Sequence, residues 1–134
     1  MSAERAVTYL DSSAIVKLAV AEPESAALRR AVSRRQTLVS SALARTELAR
    51  ALLPLGTEAL LRGEEVLRRV QLLRVNDRVL TEAGRLQPVE LRSLDAIHLA
   101  SAQQFGSALK RVVTYDARMA HAARALGLTV SSPT

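Results

Sequence analysis

Short apolar segments alternate with longer segments of helical periodicity along nearly the whole chain, and no other feature restricts the fold as strongly. The short segments predict five strands, at residues 6–10, 37–41, 70–75, 111–115 and 128–131. Helical crossovers between strands of one sheet make the strands parallel and cover its faces with helices. We therefore predict the α/β class, a three-layer α/β/α sandwich with a central, mainly parallel five-stranded sheet.

The intervening segments carry apolar side chains at the three- and four-residue spacing of helices. They predict seven helices, which begin near Ser12, Pro23, Ala42, Glu58, Arg78, Ser93 and Ala117. In the fifth helix Val79, Leu80, Ala83 and Leu86 should face inward. The sixth helix, at residues 93–105, should be largely covered by other elements. A chain of 134 residues suits one hydrophobic core, so residues 1–134 are predicted to form a single domain.

The chain contains no cysteine, which excludes disulfides, thiolate zinc sites and a cysteine nucleophile. Any metal must therefore be bound by oxygen or imidazole. The first apolar stretch, residues 6–21, is interrupted by Asp11 and Lys17, so it is neither a signal peptide nor a membrane span. We expect a cytoplasmic protein with no membrane association.

The net charge of +6 and the isoelectric point near 11.0 indicate a polyanionic partner, because clustered cations bind nucleic acid by releasing its condensed counterions. An arginine-rich composition inherited from a GC-rich genome would give the same charge without such a partner. Aromatic residues make up only 2% of the chain, which argues against base-stacking platforms. Binding would depend on contacts to the nucleic-acid backbone.

Two of the four Asp residues directly follow predicted strands and precede predicted helices, in the matching phrases TYLD and VTYD that end at Asp11 and Asp116. In parallel sheets, ligands bind beyond the carboxyl ends of the strands, where the strand order reverses. Each Asp could instead cap the helix that follows it. Asp11 and Asp116 are therefore candidates both for a shared site and for helix caps.

Two further acids lie close to apolar helix faces. Asp95 is in the first turn of the helix at residues 93–105, where the helix dipole alone would favour a carboxylate. Glu47 borders the apolar stripe of the third helix, where a solvated side chain paired with Arg50 would also explain it. Four carboxylates that converge at one sheet end repel one another unless divalent cations neutralise them. The four acids together therefore predict a site for Mg²⁺, with Mn²⁺ as the alternative.

Four phrases carry a resemblance that spans nearly the whole chain. They are YLDSSA from Tyr9, TEL from Thr46, LDAIHLA from Leu94 and VTYDARM from Val113. Each phrase is short, but their joint order and spacing in a chain of this length are fairly specific. In these phrases the chain resembles a PIN domain and, within that family, a VapC-type toxin of a VapBC toxin–antitoxin pair.

The resemblance implies a Mg²⁺-dependent endoribonuclease whose metal-binding acids stand at the positions of Asp11, Glu47, Asp95 and Asp116. Ser13 and Thr114 match hydroxyl positions that help to organise such sites in relatives. The resemblance also implies an RNA substrate, a homodimer, and a VapB-like antitoxin whose tail presents a basic side chain to the acidic pocket.

One position departs from the family pattern, because many relatives carry a further acid where this chain has Met119. We therefore expect one well-held Mg²⁺, with a second recruited only alongside RNA. Asp11, Asp95 and Asp116 are the expected direct ligands, and Glu47 is the acid expected to act through water.

Two histidines and a group of arginines are further candidates for a role in the site. His98, three residues after Asp95, is interpreted as a core histidine with satisfied hydrogen bonds, and His121 as a solvated side chain. Between residues 28 and 51 the chain has six Arg and a single Glu, a candidate strip for RNA phosphates or for an acidic partner. The RNA-binding candidates are Arg34, Arg35 and Arg118.

Two other functions would also use such a fold. An aspartyl-phosphate phosphotransfer domain places Asp at a strand end, but this chain lacks both the Asp-x-Asp phrase and the acid pair with Lys that such domains need. A non-catalytic interaction module could keep the fold alone, although it would not need a mutually repulsive acidic cluster. Labelling with acetyl phosphate tests the first alternative, and RNA cleavage tests the second.

Overall fold

The computed structural model describes residues 6–33 and 36–134. Its strands are β1 (Val7–Leu10), β2 (Thr37–Ser41), β3 (Gln71–Leu73), β4 (Leu109–Val113) and β5 (Val130–Ser131). Its α-helices are α1 (Ser12–Ala19), α2 (Ser25–Val32), α3 (Leu43–Leu52), α4 (Thr57–Leu67), α5 (Asp77–Ala83), α6 (Ser93–Gln103) and α7 (Ala117–Ala125). Every predicted strand and helix is present, with ends that differ by a few residues.

All strand pairs of the sheet are parallel, in the order β3-β2-β1-β4-β5. The chain moves outward from β1 through β2 to β3, and then returns to the other side of β1 for β4 and β5. The order of the strands therefore reverses between β1 and β4, where Leu10 pairs with Val113. In sheets of this kind the carboxyl ends of those two strands flank the binding crevice.

Successive residues of β1 point to opposite faces of the sheet and enter different apolar clusters. Leu10 lies in a cluster with buried residues of α1, α2, α3 and α4. Tyr9 lies in a second cluster that includes Ala102 of α6, and two further clusters join α5, α6 and α7. Helices thus cover both faces, which confirms the predicted three-layer sandwich.

Two side chains predicted to be covered are exposed instead. Leu80 of α5 is 48% exposed and Leu94, at the start of α6, is 49% exposed, whereas residues 98–102 of α6 are buried. Both leucines lie on the solvent side of helices whose other faces already fill the core.

No helix in the described parts of the chain is long and apolar enough to cross a membrane.

Candidate active site

Asp11 lies directly after β1 and is almost completely buried, with 3% of its surface exposed. Its Oδ1 accepts hydrogen bonds from the Ser13 hydroxyl at 2.6 Å and from the Ala14 amide at 3.0 Å. Its Oδ2 accepts one from the Thr114 hydroxyl. Burial raises the pKa of Asp11, and these three donors oppose the rise. Asp11 is therefore a helix cap, as the capping alternative predicted. It is also a fixed carboxylate at the point between β1 and β4 where the strand order reverses.

The hydroxyls of Ser13 and Thr114 tie the end of β1 to the loop after β4. Ser13 Oγ lies 3.5 Å from Thr114 Oγ1 and accepts a hydrogen bond from the Tyr115 amide at 2.9 Å. Thr114 Oγ1 accepts one from the Asp116 amide at 3.0 Å. Both hydroxyls thus lie against Asp11, and they hold the two acid-bearing segments in register.

Asp116 is the residue before α7, and it caps that helix. Its Oδ1 accepts hydrogen bonds from the amides of Arg118 at 2.9 Å and Met119 at 3.4 Å. The prediction that Asp116 directly follows a strand was wrong, because β4 ends at Val113 and Thr114 and Tyr115 belong to the connecting loop. The β-branched and aromatic side chains of that loop resemble strand residues, but the pairing with β5 stops at Val113 and Ser131.

Glu47 projects from α3 towards α1 and α6. Its Oε1 accepts hydrogen bonds from Ser12 Oγ at 2.5 Å and from His98 Nε2 at 2.6 Å, and its side chain is 25% exposed. The structure thus gives Glu47 partners other than Arg50. Burial opposes the charge of Glu47, but the bonds from His98 and Ser12 outweigh it, so the pKa of Glu47 lies below its ordinary value.

Asp95 occupies the first turn of α6 and is partly buried. Burial raises its pKa, and the negative charges of Asp116, Asp11 and Glu47 raise it further, while His98 opposes them. The structure therefore brings Asp95 within electrostatic reach of all three other acids.

The four acids do not form a closed metal site. Within residues 6–33 and 36–134, no three His, Asp or Glu side chains are arranged so that they could hold a metal ion. The four acids, together called the acidic edge, nevertheless suit a hard cation, because they offer carboxylate oxygens. Neighbouring negative charges also disfavour the ionised form of Asp95, and a cation would relieve that repulsion.

An open groove of about 360 Å³ adjoins Asp95, the one of the four acids that lines it. Its charged lining residues are Asp95, Glu90, Arg92 and Arg118, and the others are His121, Pro88, Leu91 and Ala122. His121 is exposed, as predicted. Arg34 and Arg35 lie outside the described residues, so only Arg118 of the three RNA-binding candidates has a known position.

Two residues near the acids were not identified from the sequence. Ser12 donates to Glu47, and Tyr9 bonds to the other side of the His98 ring. Ser12 belongs to the same Asp-Ser-Ser phrase as Asp11, which was a usable signal. Nothing in the sequence pointed to Tyr9, because its partner lies 89 residues away in the chain.

Comparison with known proteins gives the same family as the fold. Residues 8–125 match the PIN domain family. Ribonuclease VapC46 of Mycobacterium tuberculosis (strain ATCC 25618 / H37Rv) is 59% identical to this chain over 128 residues, which cover 96% of this chain and 98% of VapC46. The chain therefore belongs to the PIN-domain family and, within it, to the VapC group.

Two solved structures have the same fold. The crystal structure of Mycobacterium tuberculosis VapC20, described as a sarcin–ricin loop cleaving toxin, aligns with a TM-score of 0.73 and 16% identity, covering 94% of this chain and 99% of VapC20. A chain of VapBC2 from Rickettsia felis, bound to a DNA fragment from its promoter, aligns with a TM-score of 0.67 and 13% identity, covering 96% and 99% of the two chains. At these identities the likeness concerns the fold alone.

Proposed function

We propose that this protein is a Mg²⁺-dependent endoribonuclease that hydrolyses RNA phosphodiester bonds with water, and that it is the toxin of a toxin–antitoxin pair. The observation that carries the proposal is that three hydrogen bonds fix the Asp11 carboxylate where the strand order of a PIN fold reverses, with Asp95 within electrostatic reach of the other three acids. The 59% identity to ribonuclease VapC46 supports the same activity.

Asp11, Asp95 and Asp116 would hold the cation, and Glu47 would act through water. A bound Mg²⁺ or Mn²⁺ supplies an acidified water, polarises the phosphate and stabilises the departing oxygen. Mg²⁺ commonly uses only one or two carboxylates and completes its shell with water and substrate phosphates. No three acids of the described residues are arranged to hold a metal ion as they stand, so direct contact with all three Asp residues would require side chains to rotate when the cation binds.

Ser13, Thr114 and the Ala14 amide would orient Asp11 for this role, because their hydrogen bonds fix both of its oxygens. Met119 is 2% exposed and offers no carboxylate. We therefore propose one well-held Mg²⁺ in the RNA-free protein, and a second only with RNA bound. Two equally tight sites in a calorimetric titration without RNA would contradict this count.

RNA would approach along the groove beside Asp95. Arg92 and Arg118 line that groove together with the acid Glu90, and the chain as a whole carries a net charge of +6. Arginine forks suit phosphate oxygens, and the paucity of aromatic side chains leaves few places for bases to stack. We infer that the protein recognises RNA mainly through contacts to the sugar–phosphate backbone of the RNA.

We further propose a homodimer and a VapB-like antitoxin that presents a basic side chain to the acids. The likeness to a chain of a solved VapBC2 supports an antitoxin partner. A positive side chain would relieve the repulsion among Asp95 and its neighbours as a cation does. Since RNA is the substrate, this proposal places the protein in the cytoplasm.

The deciding experiment is cleavage of total RNA by protein purified free of antitoxin. We expect cleavage in the presence of Mg²⁺, and we expect chelator to abolish it. Asp11→Asn and Asp95→Asn should each reduce cleavage by at least about 100-fold. Cleavage that survives both substitutions or excess chelator would contradict the mechanism. A folded, RNA-binding protein without any cleavage would favour the non-catalytic interaction module.

A further inference from the structure

A buried chain of hydrogen bonds leads from the centre of the sheet to Glu47, and the proposed function does not use it. The Tyr9 hydroxyl lies 2.7 Å from His98 Nδ1, and His98 Nε2 lies 2.6 Å from Glu47 Oε1. Tyr9 is 0% exposed and His98 is 2% exposed. The two rings meet edge to face, with centroids 5.9 Å apart.

These hydrogen bonds connect the two helical layers across the end of the sheet. Glu47 belongs to α3, whose buried residues pack with α1 and α4 on one face. His98 belongs to α6, which packs on the other face, and Tyr9 to the central strand β1. A movement of α3 relative to α6 would therefore change the Glu47–His98 contact directly.

The direction of the hydrogen bonds follows from the chemistry of the groups. A carboxylate can only accept hydrogen bonds, so the 2.6 Å contact requires His98 Nε2 to carry the hydrogen. In a neutral ring Nδ1 is then an acceptor, and the Tyr9 hydroxyl is its donor. Burial raises the pKa of Tyr9 well above its ordinary value, which keeps this hydroxyl protonated.

Both hydrogen bonds to Glu47 reach the same oxygen. Ser12 Oγ and His98 Nε2 donate to Oε1, at 2.5 Å and 2.6 Å, so neither of these two hydrogen bonds involves Oε2. A carboxylate held by one oxygen in this way cannot rotate freely. The other oxygen then keeps a fixed direction.

We propose that His98, held by Tyr9, is a positioning residue that fixes Glu47 so that its Oε2 serves the divalent cation through a water molecule. The inference rests on the proposed function. His98 itself touches neither RNA nor metal in this scheme. Partners of this kind behind a ligating group typically contribute 10- to 100-fold in metal affinity or activity.

The test measures Mn²⁺ affinity of the RNA-free protein by calorimetry, together with the melting temperature. We expect His98→Leu to weaken Mn²⁺ binding about 10- to 100-fold. His98→Gln, whose amide can still donate to Glu47, should recover at least part of the affinity. Tyr9→Phe removes one hydroxyl and should weaken binding about 2- to 10-fold. Tyr115→Phe, which loses a bond to the Pro133 carbonyl, is the matched control and should bind as the wild type does.

A second set of variants separates positioning from packing. In a Glu47→Ala background, His98→Leu should leave the remaining Mn²⁺ affinity unchanged, because the residue acts through Glu47. A loss of the same size in both backgrounds, or an unchanged affinity with only a lower melting temperature, would overturn the positioning role. Should His98→Leu not fold, Tyr9→Phe and His98→Gln carry the test.

The two proposals fail in different ways. Wild-type protein that neither binds Mn²⁺ nor cleaves RNA would contradict the proposed function and, with it, the role of His98. Wild-type binding and cleavage with unchanged affinity in Tyr9→Phe, His98→Gln and His98→Leu would contradict the positioning role alone.

Discussion

At the scale of single residues, the acidic edge holds carboxylates whose pKa values move in opposite directions. Burial raises the pKa of Asp11, and burial with neighbouring negative charge raises that of Asp95. Glu47 is also desolvated, yet the donors His98 and Ser12 lower its pKa. The edge thus combines one carboxylate stabilised in its charged form with two whose charge is costly in the absence of a cation.

Asp95→Asn should stabilise the metal-free protein at neutral pH by about 0.5–1 kcal/mol, or about 2–4 °C in melting temperature, since partial exposure screens the repulsion. A raised folded-state pKa means that the charged form costs stability. The advantage of Asn should therefore be absent below the ordinary pKa of Asp and appear as the pH rises through the raised pKa. Thermal melts of both proteins across pH, in chelator, provide the measurement. A variant less stable than wild type at neutral pH would contradict this sign.

Thr114→Val should destabilise the protein by about 1–3 kcal/mol, because it leaves a buried oxygen of Asp11 without a donor. Urea unfolding measures the change. Thr81→Val, at an exposed position on α5, is the control and should stay within about 0.5 kcal/mol of wild type. Equal effects of the two substitutions would show that the Thr114 hydroxyl does not support Asp11.

The sequence predicted the four acids and, through the family resemblance, the hydroxyls of Ser13 and Thr114 that bind Asp11, but it did not predict the partners of Glu47. The placement of Asp11 after a strand is local, so it could be predicted. The contact between Glu47 and His98 spans 51 residues and depends on how α3 and α6 pack across the sheet end. His98 was expected to be a core residue with satisfied hydrogen bonds, which it is. Its bond to Glu47 was not anticipated, because that contact depends on the packing of the two helices.

At the scale of elements, the packing of α4 on α3 determines where Glu47 stands. Gly63 of α4 faces Leu48 and Leu52 of α3, which are 2% and 1% exposed. A Cβ at Gly63 would come within 2.5 Å of Leu52 Cδ1. The small residue therefore permits the close approach of the two helices.

Gly63→Ala should destabilise the protein by about 1 kcal/mol, since the buried Leu52 must move and this outweighs the better helix propensity of Ala. Gly84→Ala is the matched control, because its new Cβ would meet no atom closer than 3.5 Å. It should be neutral or slightly stabilising. Chemical unfolding of both variants decides between these outcomes, and a Gly63→Ala protein as stable as Gly84→Ala would contradict the packing argument.

The elements themselves were largely predictable, and the errors have physical causes. Strand β3 was predicted at 70–75 but covers only Gln71–Leu73, because an edge strand pairs on one side alone. Leu80 was predicted to be buried, since its spacing fits an apolar stripe. The short helix α5 packs on α6 with Val79 and Ala83, and Leu80 remains outside.

At the scale of the whole molecule, the fold brings acids from the end of β1, from α3 and α6, and from the loop after β4 to one edge, while the chain carries a net charge of +6. The alternation of strands and helices was enough to predict the layers and the parallel sheet. The strand order could not be read from that alternation, because it depends on which edge of β1 each later strand joins. The position of the RNA-binding arginines is likewise a property of the assembled surface.

Arg92→Gln and Arg118→Gln should each weaken RNA binding and lower the slope of log affinity against log salt by about 1. Charge reversal at Arg34 and Arg35 should also weaken binding and flatten the salt dependence. Binding is best measured in an Asp11→Asn background, so that the RNA stays intact. Arg78→Gln, which removes an exposed partner of Glu82, is the control and should leave the slope unchanged. Unchanged slopes in all the arginine variants would remove these residues from the proposed RNA path.

The most direct test of the central claim is anomalous diffraction from crystals of the RNA-free protein soaked in Mn²⁺. We predict one strong peak in contact with carboxylate oxygens of Asp11, Asp95 and Asp116, absent from Asp11→Asn crystals treated in the same way. A peak elsewhere on the molecule, or none at saturating Mn²⁺, would contradict the assignment of the acidic edge as a metal-dependent nuclease site.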